Sequence, residues 1–414
     1  MCLVNGHPAK SDGAVGPRSD RAFYRSGALE RALTIESVRK TESPESIGAW
    51  ATIIILVSKV GCVLVVAVSF LFAFDSAQFA QCVHWPTSAT GPTMESRLAT
   101  WDSADYLALS QGGYHRDSAL CAFYPLWPLM MRECARLSFG HPLIAGYMLA
   151  NVLSFIALWL FHQLVASHYG ERMSRNALIL MLAFPGALFF NFIYTESLFL
   201  ALVLAWFWFI ERERYAWPAL LGFVLPLTRA VGVFILVPLV WNVYEKKKPL
   251  RYWLLLLTPL AGYSAYFLMM RIWTGNPFEG FAAQKYYPNS PSISNMYAWH
   301  ALAKAAVGVD SVDGMTDSIL DRACFLLFLV TLPFIYKLNK TWFWYALPTG
   351  LVPALTSYFM SYRRYTIVCF PIFIVLAQWL AKSGSRWLFW YYVIMFGALQ
   401  VWAITQFVNF KWAG

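Results

Sequence analysis

The sequence predicts an all-α integral membrane protein, built as a polytopic helical bundle, and three observations support this. Of its 414 residues, 59% are hydrophobic and only 13% are charged, which is about half the charged share of a soluble domain. Apolar runs long enough to cross a bilayer recur from residue 50 onwards. The net charge of +10 comes largely from Lys and Arg between those runs, a pattern of membrane topology rather than of nucleic-acid binding.

The apolar runs define the predicted spans, since a bilayer-crossing helix needs about 20 mostly apolar residues. They lie at residues 50–74, 142–168, 174–190, 191–210, 251–272, 319–337, 341–360, 365–381 and 387–408. Residues 1–49 are polar, and we expect a cytoplasmic, disordered tail or the product of a misplaced start codon. Residues 50–414 are predicted to form a single membrane domain with outer loops at 75–141 and 273–318. Basic residues concentrate in the short connections that lie on the same side of the membrane as the N-terminus, and this places the N-terminus in the cytoplasm.

A single span over residues 215–244 would place its two ends on opposite sides of the membrane. However, both ends carry basic clusters that are expected inside. We predict two short helices, 216–227 and 230–243, with a break at Arg229 whose tip reaches the outer side. Broken helices at membrane depth persist only where protein or a wet cavity satisfies their backbone, so the break indicates a site. The alternative is one tilted helix that violates the charge rule.

Four polar clusters from distant parts of the chain are then expected on the outer side. They are Trp101-Asp102-Ser103-Ala104-Asp105-Tyr106, Tyr194-Thr195-Glu196, Thr228-Arg229 and Tyr362-Arg363-Arg364-Tyr365. An ionisable group near membrane depth costs about 2.5–3.5 kcal/mol on insertion scales, so such groups indicate function.

The first cluster offers a catalytic base. Asp102, Asp105 and Tyr106 are three and four residues apart and share one helix face. A carboxylate in a partly apolar pocket can take the proton of an acceptor hydroxyl. The alternative for Asp102 is a helix cap, and Asp105 is interpreted as a supporting carboxylate.

The arginines offer an anion site, because guanidinium groups bind phosphate bidentately and keep their charge when desolvated. Arg229 and Arg364 are therefore predicted to hold a lipid phosphate. The alternative for Arg363 and Arg364 is snorkelling to the interface. Glu196 lies near the start of a span, where the helix dipole favours a carboxylate, and it can also pair with Arg229.

Other features carry weaker signals. The aromatic residues of 273–300 fit sugar or isoprenoid contacts, but also an ordinary interfacial belt. An acidic run, Asp310, Asp313, Asp317 and Asp321, fits a solvated helix cap better than a divalent cation, so no metal and no cofactor is expected. One disulfide among Cys82, Cys121 and Cys134 is conceivable. Lys59, inside the first span, has either an internal partner or a snorkelling side chain. Nucleotide-binding motifs are absent from the sequence.

In this order, the clusters resemble the PIG-V family of mannosyltransferases, which belongs to the GT-C class of multispanning glycosyltransferases. The matching stretches are WDSADYLALSQGGY (101–114), AFYPLWPLM (122–130), FPGALFFNFIYTESLF (184–199), LTRAVG (227–232) and RRYTIVCFPIF (363–373). They cover residues 97–373, about two thirds of the chain. Each stretch alone is weak, and the ordered set is moderately specific.

The resemblance implies a GT-C bundle of about 9–11 transmembrane helices with loop helices on the outer face. It implies an inverting hexosyltransferase that moves a sugar, usually mannose, from a polyprenyl- or dolichyl-phosphate donor to a lipid or glycan acceptor. The reaction would face the periplasm of a bacterial inner membrane, or the lumen of the endoplasmic reticulum in a eukaryote. Asp102 then matches the catalytic carboxylate, while Trp101, Asp105, Tyr106, Tyr194, Glu196, Arg229, Arg364 and Tyr365 would bind substrate.

The compact loops look more like those of the bacterial relatives than like the eukaryotic members that add the second mannose of GPI-anchor precursors. Three other functions remain open on the sequence. A transporter or lipid flippase also has many spans and buried charges. Another GT-C enzyme with a different sugar, or a non-catalytic subunit of a glycosylation complex, would have the same composition.

Overall fold

A computed structural model describes residues 44–288 and 290–413, with side chains from residue 48 onwards. The described part is helical, with one isolated β-bridge between Ser311 and Ser318. This confirms the all-α prediction. The cytoplasmic tail predicted at residues 1–49 lies almost wholly outside the described residues.

The helices follow one another with short connections. In chain order they are α1 (Pro44–Ser69), α2 (Ser76–Gln81), α3 (Met94–Leu98), α4 (Asp102–Gly112), α5 (Leu126–Leu137), α6 (Pro142–Tyr169), α7 (Glu171–Ala183), α8 (Glu196–Glu211), α9 (Ala216–Val224), α10 (Leu236–Glu245), α11 (Leu257–Thr274), α12 (Glu279–Ala282), α13 (Trp299–Val307), α14 (Ile319–Leu338), α15 (Lys340–Thr356), α16 (Tyr362–Val368), α17 (Pro371–Lys382) and α18 (Arg386–Val408). Short 3₁₀ helices lie at Ala119–Ala122, Pro185–Phe190, Leu225–Leu227, Ala230–Ile235, Leu250–Leu256, Ala283–Tyr286 and Ile293–Tyr297.

Five helical segments of the described chain are long and apolar enough to cross a membrane. They are Gly48–Ser69, Pro142–Tyr169, Leu250–Thr274, Ile319–Leu338 and Arg386–Val408. A sixth candidate is the pair α16 and α17, which is bent by 76°. The chain therefore has the helices of an integral membrane protein. The larger count of nine or more spans stays a prediction.

Two predicted spans are broken or shortened in the structure. The run at 174–190 is interrupted after α7, and a 3₁₀ helix follows at Pro185–Phe190. Pro185 lacks the backbone N–H that would continue the helix. The run at 191–210 becomes α8, which has 16 residues and starts only at Glu196. The turn between them carries part of the second polar cluster.

The break of the hairpin predicted within residues 215–244 is confirmed, and the alternative of one continuous helix is wrong. The position of its tip on the outer side stays a prediction. Two short apolar helical segments, Ala216–Leu227 and Ala230–Glu245, meet at the predicted break. The backbone of Arg229 is extended there, with φ −157° and ψ 153°. The arms touch so closely that a Cβ on Gly232 would lie 2.2 Å from the carbonyl oxygen of Leu225. Only glycine fits at that contact.

Candidate functional site

Four chain segments that are far apart in sequence meet at one charged cluster. Asp102 is the first residue of α4, and Glu196 is the first residue of α8. Arg229 occupies the break of the hairpin, and Arg364 lies in the first turn of α16. The fold thus brings together one predicted residue from each of the four polar clusters.

The four side chains form a continuous ion network. Oε1 of Glu196 accepts hydrogen bonds from Nη1 of Arg229 at 2.8 Å and from Nε of Arg364 at 2.7 Å. Nη1 of Arg364 also donates to Oδ2 of Asp102 at 2.5 Å. Arg364 therefore links both carboxylates, and each guanidinium keeps further N–H groups that these bonds do not use.

Exposure rises from one end of this network to the other. The side chain of Glu196 is fully buried, whereas those of Arg229, Arg364 and Asp102 are 9%, 11% and 26% exposed. Oε2 of Glu196 has no hydrogen-bond partner among the described residues. Two negative and two positive side chains balance each other, which offsets the cost of removing each charge from water. Asp102 is the member best placed to meet a molecule that enters from outside.

Aromatic rings support both arginines. The guanidinium carbon of Arg364 lies 4.6 Å from the ring centroid of Tyr194 and 5.2 Å from that of Phe189. The guanidinium carbon of Arg229 lies 5.0 Å from the ring centroid of Tyr365. Desolvated contacts of this kind fix the planes of the two guanidinium groups. Tyr194 and Tyr365 were predicted from the sequence, but Phe189 was not, because its motif gives no signal beyond hydrophobicity.

The helix-cap interpretation of Asp102 is wrong. The residue that caps α4 is Trp101, and it makes no capping side-chain hydrogen bond. Trp101 has φ +52°, a left-handed value that costs a bulky residue free energy and that tends to occur at functional sites. Three residues just before Arg364, namely Tyr358, Phe359 and Ser361, also have positive φ. Both segments that present the Asp102–Arg364 pair therefore start from strained backbone.

Trp101 itself does not join the charged cluster. Its ring stacks on Phe410 at 5.3 Å and meets Trp412 edge-on at 5.1 Å, and its indole N–H donates to the carbonyl of Lys411 at 3.2 Å. The residues after the last span thus brace the start of α4. No motif in the sequence connects these C-terminal residues to the charged cluster.

Asp105 and Tyr106 lie behind Asp102 in a drier environment. Burial raises the pKa of the Asp105 carboxyl well above its ordinary value, and the charge of Asp102 raises it further. Burial also raises the pKa of the Tyr106 hydroxyl, and its ring meets Phe123 edge-on at 4.9 Å. Asp105 is therefore suited to stay protonated next to Asp102.

Arg363 points away from the cluster, and its snorkelling interpretation is wrong. Its side chain is fully buried and forms an ion pair with Asp313. Its backbone N–H donates to Oδ1 of Asp321 at 3.0 Å. The predicted acidic run is therefore divided, since Asp313 and Asp321 are buried against Arg363 while Asp317 lies 3.5 Å from Arg322. Ser318 provides the helix cap, accepting from the Asp321 N–H at 3.1 Å.

Further aromatic residues pack against one another in and beside the segments predicted to be outer loops. Tyr114 stacks on Trp273 with centroids 5.0 Å apart, and Tyr124 stacks on Tyr266 at 4.6 Å. By contrast, Trp299 remains 73% exposed, which fits an interfacial belt. Cys82, Cys121 and Cys134 are free thiols, so no disulfide joins any two of these three residues. Among the described residues, no group of three or more metal-ligating side chains could hold a metal ion.

Comparison with family models, with curated proteins and with solved structures finds no match to this chain.

Proposed function

We propose that the protein is an integral-membrane glycosyltransferase that moves a sugar, most simply mannose, from a polyprenyl- or dolichyl-phosphate donor to a lipid or glycan acceptor. The proposal includes a GT-C type of bundle and an active site that faces the periplasm or the lumen. One observation carries it. Asp102, Glu196, Arg229 and Arg364 form a single ion network at the junction of four distant segments.

The network contains the groups that such a transfer needs. Arg229 and Arg364 bind the donor phosphate, because guanidinium groups match phosphate oxygens and stay charged in a dry site. Glu196, fully buried between them, fixes their positions. Asp102 is the most exposed member and acts as the general base. Tyr194 and Tyr365 orient the guanidinium planes beneath the phosphate.

Arg364 couples donor binding to the base. In the ligand-free network, Arg364 donates to Asp102 at 2.5 Å, so the carboxylate oxygen Oδ2 is already engaged in a hydrogen bond with a cation. A donor phosphate competes for the same guanidinium and releases Asp102. The acceptor hydroxyl then attacks C1 of the sugar from the face opposite the phosphate. The C1–O bond to the phosphate breaks, Asp102 takes the hydroxyl proton, and the lipid phosphate leaves as an anion.

A transfer assay tests the proposal. Purified protein in nanodiscs receives radiolabelled polyprenyl-phosphate mannose and a total lipid and glycan extract. Asp102→Asn should lower turnover at least about 10²-fold, the usual contribution of a general base. It should not weaken donor binding, because Arg364 is released. Asp117→Asn is the matched control, since the side chain of Asp117 lies in the same outer loop and is 76% exposed.

Three outcomes would contradict the mechanism or the function. Near-wild-type turnover of Asp102→Asn would exclude it as the base. A rise of the donor Kd in that variant would contradict the exchange at Arg364. Absence of transfer by the purified chain, with activity restored by a partner protein, would make it a non-catalytic subunit.

A lipid flippase or transporter is the second candidate, and one observation favours it. Lys59 is a cation half-way along α1, and a translocation path requires polar groups near the midplane. Movement of the labelled donor across the bilayer, in the absence of transfer, would support this function instead.

A further inference from the structure

A cavity of about 290 Å³ lies between the first and last helices, away from the charged cluster. Its walls come from α1, α6, α7, the 3₁₀ helix at Pro185–Phe190 and α18. Most of the lining is apolar, with a polar belt formed by Ser58, Lys59, Asn191 and Gln400. The volume is close to the lower end of ligand pockets, about 300 Å³.

The cavity borders the exposed surface of α18. Val401 lines it and is 46% exposed on the surface of α18. Near the loop end of α1, the backbone carbonyl of Ser69 accepts from Asn409 at 2.9 Å, and the Ser69 hydroxyl meets that of Thr405 at 2.9 Å. At the other end, Ala51 is fully buried in the core. The lining residues of α1 and α18 therefore form two sides of a lateral window, on a surface that an integral membrane protein turns towards lipid.

Lys59 is the only ionisable amine in the described lining of this window. Its ammonium donates to the hydroxyl of Ser154 at 2.6 Å and to the backbone carbonyl of Phe190 at 2.8 Å. An ammonium has three N–H donors, so one remains. No described carboxylate lies within 4.0 Å of it. Lys59 lies 11 residues after Gly48 and 10 before Ser69, so it is about 15 Å from either end of the span.

An amine at this depth has no described carboxylate as counter-ion, so an anionic ligand would stabilise its charged form and accept a bond from its third N–H donor. We propose that the window binds a membrane lipid whose oxyanion group, a carboxylate or a phosphate, accepts a hydrogen bond from Lys59. The hydrocarbon chain of the lipid lies against the apolar lining and leaves the protein between α1 and α18. This inference does not depend on the proposed transfer reaction.

The window is mechanically connected to the charged cluster. Phe190 is the last residue of the 3₁₀ helix and precedes Glu196 by six residues. Its backbone carbonyl accepts the hydrogen bond from Lys59. Phe189, beside it, supports the guanidinium of Arg364 at 5.2 Å. A lipid in the window therefore lies against the same chain segment that leads into the charged cluster.

The test uses the full chain in nanodiscs and three photoactivatable lipids of equal chain length. They carry a carboxylate, a phosphate monoester or a hydroxyl, and the labelled peptides are mapped. At least one anionic probe should label peptides of α1 and α18 about tenfold more than the alcohol. Preference for the phosphate or the carboxylate would identify the source of the oxyanion. Equal labelling by the alcohol, or no label on these two helices, would overturn the proposal.

Variants of two wall glycines separate binding in the cavity from lipid contact in general. An added Cβ on Gly61 or Gly397 would meet no atom within 4 Å, so both positions have room for the start of a larger side chain, and leucine there is expected to extend into the cavity. Gly61→Leu and Gly397→Leu should lower anionic labelling about tenfold. Gly48→Leu, on the same helix as Gly61 and equally open, should label as the wild type does. Lys59→Met should reduce the labelling by the anionic probes to the level of the alcohol. Unchanged labelling in Gly61→Leu, Gly397→Leu and Lys59→Met would refute the site.

Discussion

Replacement of Glu196 by glutamine tests whether the charged cluster holds the four segments together. Glu196 is fully buried and accepts hydrogen bonds from two arginines through one oxygen. In Glu196→Gln the two guanidinium groups keep only Asp102 as a counter-ion. Removing one partner of a buried pair costs about 3–5 kcal/mol, and the partial exposure of both arginines favours the lower end. At about 2 °C per kcal/mol for a large domain, the apparent Tm should fall by about 6–10 °C.

The chain offers a matched control for this change. Glu213 also bridges two cations, since it lies 3.3 Å from Lys246 and 2.8 Å from Lys248. However, its side chain is 51% exposed, and surface ion pairs contribute little. Glu213→Gln should therefore leave the apparent Tm unchanged within error. The apparent Tm values of the two variants are compared by thermal unfolding in the same detergent. Equal shifts for the two variants would refute the claim that burial gives the Glu196 network its strength.

Three further predictions concern stability. Asp105→Asn should raise the Tm at pH 8 more than at pH 5. Burial raises the pKa of Asp105, so the contribution of this carboxyl to wild-type stability is lost as the pH rises through that pKa. A shift of the Tm that is independent of pH would contradict this. Gly232→Ala should cost about 1–3 kcal/mol through overpacking, whereas Gly112→Ala, which has open space around its added Cβ, should not destabilise. Arg363→Met should destabilise by about 3–5 kcal/mol by leaving two buried carboxylates unpaired, and a neutral result in urea unfolding would show that they are protonated.

The sequence could predict the broken hairpin because two independent rules agreed there. Positive charges flank the segment on the same side, and Pro226 with Arg229 marks its middle. The structure breaks the segment at that position. The pairing of Glu196 with Arg229 was foreseen from their shared side and is confirmed at 2.8 Å. Charge placement is informative at membrane depth because misplacing a charge there is costly.

Span lengths were predicted less well, because hydropathy does not register where a helix stops. The runs at 174–190 and 191–210 are continuous in hydrophobicity, yet helix is lost from Phe184 to Thr195 apart from one 3₁₀ segment. Pro185 was a visible signal for that break. The position of Trp101 against Phe410 could not be predicted, since the contact joins residues 309 positions apart and Phe410 lies outside every motif.

Arg363 and Arg364 are adjacent in the sequence but have different partners, so the positions of the charges alone could not identify which of them belongs to the site. Successive residues of a helix point about 100° apart, so Arg363 and Arg364 face different parts of the protein. Arg364 binds Asp102 and Glu196, whereas Arg363 is buried against the acidic outer segment that carries Asp313. The same turn of helix thus ties the second outer loop to the charged cluster. A movement of the segment that carries Asp313 is therefore expected to displace Arg364 and, with it, the cation that holds Asp102.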